Sequence, residues 1–400
     1  MTRLNTPSVR RRRSLAVGAT TALTAILLAG CAGSPPAVTT PSSSPAAVQR
    51  PAAPEGELPD ELQVGLQEAV DSTMAEYGVP GAAAGVWIPG EGTWTSASGI
   101  ADLDGDVAVD PAMQWPMRSI TKSYTVTLIL QLVDEGVISL DDTIDEYVDG
   151  VTDGDRITLR DLAGMTSGNA DYTNKDFEKA FVADPDQIFT LEELNGFMLG
   201  KPAAFAPGTE KVYNNANINL LGAVVEQATG QAFDEVLDER ILGPLGQEDT
   251  RYIVDVSTWD APHAVGYTPD EDGLAVQPGN LSIYGPAGSM VSTLEDGRVW
   301  AEILGTGALL EPETQTERLE GAPLDAGPPY DLYALGIGET GQWWGHNGEG
   351  FGFTAALFHQ PDTGASIVVF MNLSGHPSDE HPADQLFRRL AAVIESGAEQ

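Results

Sequence analysis

Three short clusters in this chain carry side chains able to make and break acyl bonds. Ser119 and Lys122 stand three residues apart in Ser119-Ile120-Thr121-Lys122, at the head of an apolar run. Positions i and i+3 of a helix share a face, which would set hydroxyl and amine side by side. A serine hydroxyl is a weak nucleophile until a base adjoins it, and a desolvated lysine can be that base. Of the five lysines, only Lys122 has a serine three residues before it. Such pairs also occur on solvated helices, so the spacing draws its meaning from two further clusters. Tyr213-Asn214-Asn215 offers a phenol and an amide between Phe205-Ala206-Pro207-Gly208 and an apolar segment. Tyr172-Thr173-Asn174 repeats the pattern and Ser167-Gly168-Asn169 is of the related S-x-N type, but both lie in a loop whose expected job is structural. His346-Asn347-Gly348 follows Trp343-Trp344-Gly345, and His346 alone among five histidines has glycine two residues on. A glycine there leaves a strand edge bare, so that another backbone can lie against it. A lone histidine is more often a packing residue, and a strand glycine more often a bulge. What favours chemistry is that the three clusters fall in one order, each in a fitting context.

The elements that must hold these clusters can be read from periodicity. Glu61–Tyr77 carries an apolar stripe at Leu62, Val64, Leu66, Val70 and Met74 and reads as a helix. Ala82–Trp87 and Thr93–Ser98 read as a hairpin across Pro89-Gly90-Glu91-Gly92. Ser119–Val133 is apolar on most sides, which predicts a buried helix. Further helices are expected at Leu159–Met165, Leu191–Leu199, Asn217–Thr229 and Phe233–Ile241, with a capping-box start at Ser292-Thr293-Leu294-Glu295. Toward the C-terminus, Leu332–Ile337, Gly352–Phe358 and Ser366–Asn372 read as strands, and Asp384–Ile394 as a closing amphipathic helix. The expected fold class is therefore α+β. One antiparallel sheet is built from both chain ends and flanked by the terminal helices, with a mainly helical lobe inserted between. A site between lobe and sheet follows.

The N-terminus reads as export machinery. Arg10–Arg13 form a basic region, Leu15–Leu28 a short apolar stretch, and Leu28-Ala29-Gly30-Cys31 ends it. That ending resembles the lipobox of bacterial lipoproteins. The resemblance implies a signal over residues 1–30, lipidation of Cys31, the sole cysteine, and anchoring to the outer face of the cytoplasmic membrane. Arg12-Arg13-Ser14-Leu15 leaves the route open between the general and twin-arginine pathways. Residues 31–57, rich in Pro, Ser and Ala, read as a tether, and 58–397 as the folded body. The chain's net charge is −39; five arginines and no acid lie in the first thirty residues, so the exported form carries −44. Such a charge argues against nucleic-acid partners. Asp102-Leu103-Asp104-Gly105-Asp106 begins like a calcium loop, but its glycine is misplaced and no closing glutamate follows, so a polar turn is expected and no metal or other cofactor.

Over about residues 80 to 375 the chain resembles the serine β-lactamase and D-alanyl-D-alanine carboxypeptidase superfamily, in its class C β-lactamase-like branch. The likeness rests on Arg118-Ser119-Ile120-Thr121-Lys122, Leu140-Asp141-Asp142, Ile157-Thr158-Leu159-Arg160-Asp161-Leu162, Thr166-Ser167-Gly168, Phe205-Ala206-Pro207-Gly208 and Gly345-His346-Asn347-Gly348. The resemblance implies that Ser119 forms an acyl-enzyme, with Lys122 and Tyr213 sharing the proton work and the base left open between them. It implies that Asn215 orients Lys122 and the substrate amide, and that Ser119 and Glu349 supply backbone N–H groups to an oxyanion. His346 stands where many relatives have lysine, so its charge would depend on pH. Asn347 stands where a hydroxyl commonly meets a substrate carboxylate, and Gly348 completes the strand. Glu192-Glu193-Leu194-Asn195 lacks the spacing of a class A deacylating motif. The implied activity is D-Ala-D-Ala carboxypeptidase-like, on a small-molecule or peptide substrate such as a peptidoglycan-stem peptide. The alternatives are an esterase or β-lactamase-like hydrolase of small acyl substrates, and a slowly turning-over penicillin-binding sensor.

Overall fold

The computed structural model describes residues 48–378 and 380–398. The signal, Cys31 and the first part of the tether lie outside the described residues. From Val48 onward the chain lies on the body rather than away from it. Arg50 pairs with Asp296 at 2.8 Å, Arg298 donates to the Pro51 carbonyl at 2.8 Å, and Leu58 is buried. The segment expected to be tether up to residue 57 is therefore docked over its last ten residues, because its arginine and carbonyls find fixed partners.

The main sheet has eight strands, all neighbours antiparallel. They are β1 (Gly81–Ile88), β2 (Gly92–Asp102), β3 (Val107–Ala108), β4 (Leu332–Tyr333), β5 (Gly338–Thr340), β6 (Trp343–Gly350), β7 (Phe353–Gln360) and β8 (Ala365–Met371). Their order is β3-β2-β1-β8-β7-β6-β5-β4, so the two chain ends meet where Ala82 pairs with Met371. Burial of every residue of β1 and β8 marks these central strands as covered on both faces. Helices α1 (Asp60–Tyr77) and, at the C-terminus, α6 (Pro382–Ala398) pack on each other, and α6 covers one face of β7 and β8. Arg389 fastens them by donating to Thr73 Oγ1 at 3.0 Å. Helix α5 (Leu294–Thr306) lies against β7 and β8 as well, with Gly297 seated on Val368.

Between β3 and β4 runs the helical insertion. Its centre is α2 (Thr121–Asp134), entered through a 3-10 turn at Arg118–Ile120, with α3 (Lys175–Ala183) and α4 (Asn215–Thr229) further on. Eleven of the fourteen residues of α2 are buried, as expected of a helix apolar on most sides. Tyr124 stacks on Trp300 of α5 with centroids 3.6 Å apart, joining the insertion to the sheet layer.

Several local expectations shift. Leu332–Ile337 is a strand only over its first two residues, because Gly336 turns the chain at φ +66° over Val126. The α5 cap is Thr293 rather than Ser292, its side chain accepting from Asp296 N–H. Phe233–Ile241 is α-helical only to Leu237 and then winds into a π turn through Leu242. Lys175–Ala183, where no element was expected, is helical and capped by Asn174, which accepts from the Asp176 and Phe177 N–H groups. The Asp102–Asp106 segment is a turn, with Asp104 N–H on Asp102 Oδ1 at 3.0 Å.

Candidate active site

Ser119 is presented by a strained turn. Arg118, immediately before it, adopts φ +53°, a left-handed conformation that a residue with a side chain holds only when its surroundings enforce it. The enforcement is visible. Met117 N–H bonds to the Met290 carbonyl at 2.8 Å, and the buried Arg118 guanidinium donates to the carbonyls of Gly350 and Phe351, both at 3.1 Å. The same guanidinium lies over the rings of Tyr284 and Phe353, at 4.5 and 5.3 Å. Burial lowers its pKa. Ser119 itself is half-buried and faces a cavity of about 300 Å³.

Lys122 follows on the first turn of α2, fully buried. Its Nζ is 2.9 Å from Ser119 Oγ and donates to the Ala287 carbonyl at 2.8 Å. Taking an ammonium out of water disfavours its charge, and burial lowers the Lys122 pKa to about 7, with the Asp171 carboxylate opposing the shift. Tyr213, in the loop ahead of α4, sets its ring 5.1 Å from Nζ. Its hydroxyl is buried with no completed hydrogen bond; burial raises its pKa, and the neighbouring Ser119 hydroxyl pulls the other way. The cluster thus pairs an amine able to lose its proton near neutrality with a phenol that keeps its own.

Strand β6 forms the opposite wall. Strand β5 pairs with it only from Trp343 to Gly345, which leaves the edge beyond without a strand partner. Tyr330 closes the first part, its hydroxyl accepting from Asn347 N–H at 2.8 Å. Strand alternation sends the Glu349 N–H toward the same edge. Gly348 lies against the nucleophile turn: a Cβ there would sit 2.2 Å from the Met117 carbonyl oxygen and 3.0 Å from the Ser119 nitrogen. The glycine expected to leave room for a substrate first leaves room for Ser119.

Three expectations are corrected here. Asn215 makes no hydrogen bond to Lys122; its backbone N–H and its side-chain amide both donate to Asp171 Oδ2, at 3.1 and 3.5 Å, and the second partner of Lys122 is the Ala287 carbonyl. His346 carries no charge at ordinary pH, because full burial lowers its pKa to about 3. Its Nε2 meets Tyr333 Oη at 3.2 Å and its Nδ1 meets Tyr330 Oη at 3.1 Å. Asn347 points away from Ser119 by strand alternation, and its carbonyl oxygen accepts from Tyr330 Oη at 2.6 Å, so its side chain is sealed rather than offered to a carboxylate. Tyr172 and Asn174 also have the structural jobs expected, Tyr172 donating to the Ile283 carbonyl at 2.7 Å and Asn174 capping α3. Ser167 is buried and bonds to Asn217 Oδ1 at 2.7 Å.

Of the residues expected to bind substrate, Asn215 and Glu349 line the cavity. Sequence reasoning missed the rest of its wall: Phe177, Phe181, Tyr284 and Phe351, with the Glu178 carboxylate at the rim. Phe181 and Phe351 stack at 5.5 Å across the cleft. The i, i+4 spacing of Phe177 and Phe181 behind Asn174, followed by Asp176 and Glu178, was a helix signal available in the sequence.

Comparison with known proteins gives the family and the fold. The family model described as Beta-lactamase matches residues 66–392, and the chain belongs to that family. It is a serine hydrolase related to the β-lactamases. A D-aminopeptidase of Brucella anthropi is 30% identical over 322 residues, 78% of this chain and 60% of that protein, so the chain spans about 60% of this relative's length. A D-stereospecific amidohydrolase from Streptomyces sp. superposes with a TM-score of 0.70 at 27% identity, covering 82% of this chain and 98% of that one. The D-amino acid amidase of Ochrobactrum anthropi SV3, solved with L-phenylalanine amide, gives a TM-score of 0.75 at 24% identity over 85% of this chain and 100% of its own, a likeness of fold.

Proposed function

We propose that this protein hydrolyses small amides of amino acids with an apolar side chain, of D configuration, through an acyl-enzyme on Ser119. Neutral Lys122 takes the Ser119 proton as Oγ attacks the amide carbonyl, while its N–H to Ala287 holds the lone pair on line. The backbone N–H groups of Ser119 and Glu349 receive the oxyanion, each such donor being worth about 3–4 kcal/mol of barrier. Tyr213, still protonated, hands its proton to the departing amine and is reprotonated from Lys122. Water then cleaves the ester with the same groups in reverse. Lys122 is the base because it alone of the pair has a lone pair free near neutral pH.

The cleft carries the substrate reading. Among the described residues lining it, the Glu178 carboxylate is accompanied by aromatic rings and by one cation, Arg118, whose guanidinium is already engaged with Gly350 and Phe351, while the Glu349 carboxylate accepts from Gly375 N–H at 3.0 Å. Neutral His346 and sealed Asn347 add no charge for a terminal carboxylate. An acid at the rim of an apolar wall suits a substrate with a free ammonium and an apolar side chain, which supports an aminopeptidase or amidase over the D-Ala-D-Ala carboxypeptidase implied by resemblance. The names of the relatives point the same way and supply the D configuration. The test is ammonia release from D- and L-phenylalanine amide beside N-acylated D-Ala-D-Ala, with Ser119→Ala as control. Turnover of the D-amide by the wild type alone supports the reading; turnover of only the blocked dipeptide sinks it.

We also propose that the chain is exported and anchored by lipid on Cys31. Partition into detergent phase by the wild type, lost in Cys31→Ser, is the expected result; equal partition of both would count against the anchor.

A further inference from the structure

The peptide unit between Gly348 and Glu349 has two ends with different partners. Its N–H is the β6 donor at the mouth of the cleft. Its carbonyl, at the other end of the same planar unit, meets His381 Nε2 at 2.8 Å. His381 immediately precedes α6, and its other ring nitrogen, Nδ1, accepts from Asp384 N–H at 3.1 Å. A nitrogen that accepts from a backbone N–H carries no proton, so Nε2 holds the ring hydrogen and donates it to the Gly348 oxygen. The helix cap thereby fixes the tautomer, and the tautomer fixes the direction of the bond.

We propose that His381 is a positioning residue for the oxyanion, acting through the Gly348–Glu349 peptide. Donation to the carbonyl oxygen draws electron density toward it and makes the Glu349 N–H a stronger donor, as in any chain of hydrogen bonds. It also adds to the hold of β7, which pairs with Gly348 and Glu349, at a point where β5 no longer braces the other edge of the strand. His381 is half-buried and does not line the cleft, so it touches no substrate. The inference rests on the oxyanion site proposed above.

The variant His381→Ser separates this role from that of a helix cap. A serine hydroxyl at the position before a helix accepts from the N–H groups of the first turn, so α6 keeps its cap. It is too short to reach the Gly348 oxygen. If a tenth to a third of one oxyanion donor's effect depends on this support, acylation slows by about two- to eightfold. Single-turnover acylation by a chromogenic ester and the infrared stretch of the acyl-enzyme carbonyl are the readouts. Slower acylation with KM unchanged, and a carbonyl band moved to higher frequency at unchanged Tm, is expected. Wild-type rate and band position in a folded His381→Ser would overturn the proposal. Should wild type form no acyl-enzyme at all, the reading of Ser119 fails instead, which keeps the two failures apart. Should His381→Ser unfold, His381→Asn, which keeps the cap with a planar amide, is measured in the same way, and the same results count for and against the role of His381.

Discussion

Replacing Gly348 by alanine tests how closely the two walls of the site are fitted. The new Cβ would fall 2.2 Å from the Met117 carbonyl oxygen, with Arg118 Cβ and Ser119 N both at 3.0 Å. Two of these three neighbours are backbone atoms of the turn that presents the nucleophile, so no flexible side chain can swing aside. Real Cβ contacts are not found below 3.0 Å, and β6 must therefore withdraw from the turn by about 0.8 Å. A displacement near 1 Å at a reacting centre costs about 10²-fold in rate. Overpacking of one methyl costs about 1–3 kcal/mol of stability. The expected outcome for Gly348→Ala is therefore a folded protein, with Tm lowered by a few degrees and acylation lowered about a hundredfold. Burst kinetics with a p-nitrophenyl ester, beside differential scanning fluorimetry, measure both. Acylation within twofold of wild type would refute the reasoning, because it would mean that strand and turn can part without moving the Glu349 and Ser119 donors.

Tyr213→Phe removes a hydroxyl that has no completed hydrogen bond in the resting site, so unfolding by urea should change by less than about 0.5 kcal/mol, while acylation falls about 10²–10⁴-fold. The rate of acylation should rise with pH through a limb near 7 as Lys122 loses its proton, and a limb near 10 would show that the amine is not desolvated. His346 has its pKa lowered by folding, from 6.5 to about 3, so the unfolded chain binds the extra proton between those values. Its contribution to stability is complete above about 6.5 and is lost as pH falls toward 3. A plot of unfolding free energy against pH should accordingly be flatter across that window in His346→Gln than in the wild type.

Much of the framework was legible because it depends on patterns that the backbone enforces. The hairpin of β1 and β2, the buried run of α2 and the closing helix follow from periodicity and glycine-bearing turns. Two expectations failed where neighbouring residues offered the same signal. Ser292 and Thr293 each have an acid three residues on, and only packing chose Thr293. Leu332–Ile337 is apolar enough for a strand, yet a single glycine at 336 ends it. In the candidate site, the meeting of Ser119 with Lys122, and of Tyr213 with both, was legible because few side-chain types suit the chemistry proposed. The Ala287 carbonyl was not, since every residue has one. Burial was not legible either, and burial is what removes the charge of His346 and lowers the pKa of Lys122.

The pairing of Ala82 with Met371 has a consequence for the order in which the molecule is made. Strands β1 and β2 leave the ribosome early, but the neighbour that β1 needs on its other side, β8, is the last strand synthesised among the described residues. Until then a fully apolar strand edge is without its cover, and the loop to be closed spans almost the whole body. Long-range pairing of this kind makes folding slow and leaves unfinished chains open to aggregation. Completion of the sheet also brings in β6, and with it Gly348 and Glu349. The nucleophile turn is built hundreds of residues before the strand that makes it useful, so a chain stopped before Met371 cannot close its sheet, and one stopped before Gly348 has no second wall to its cleft.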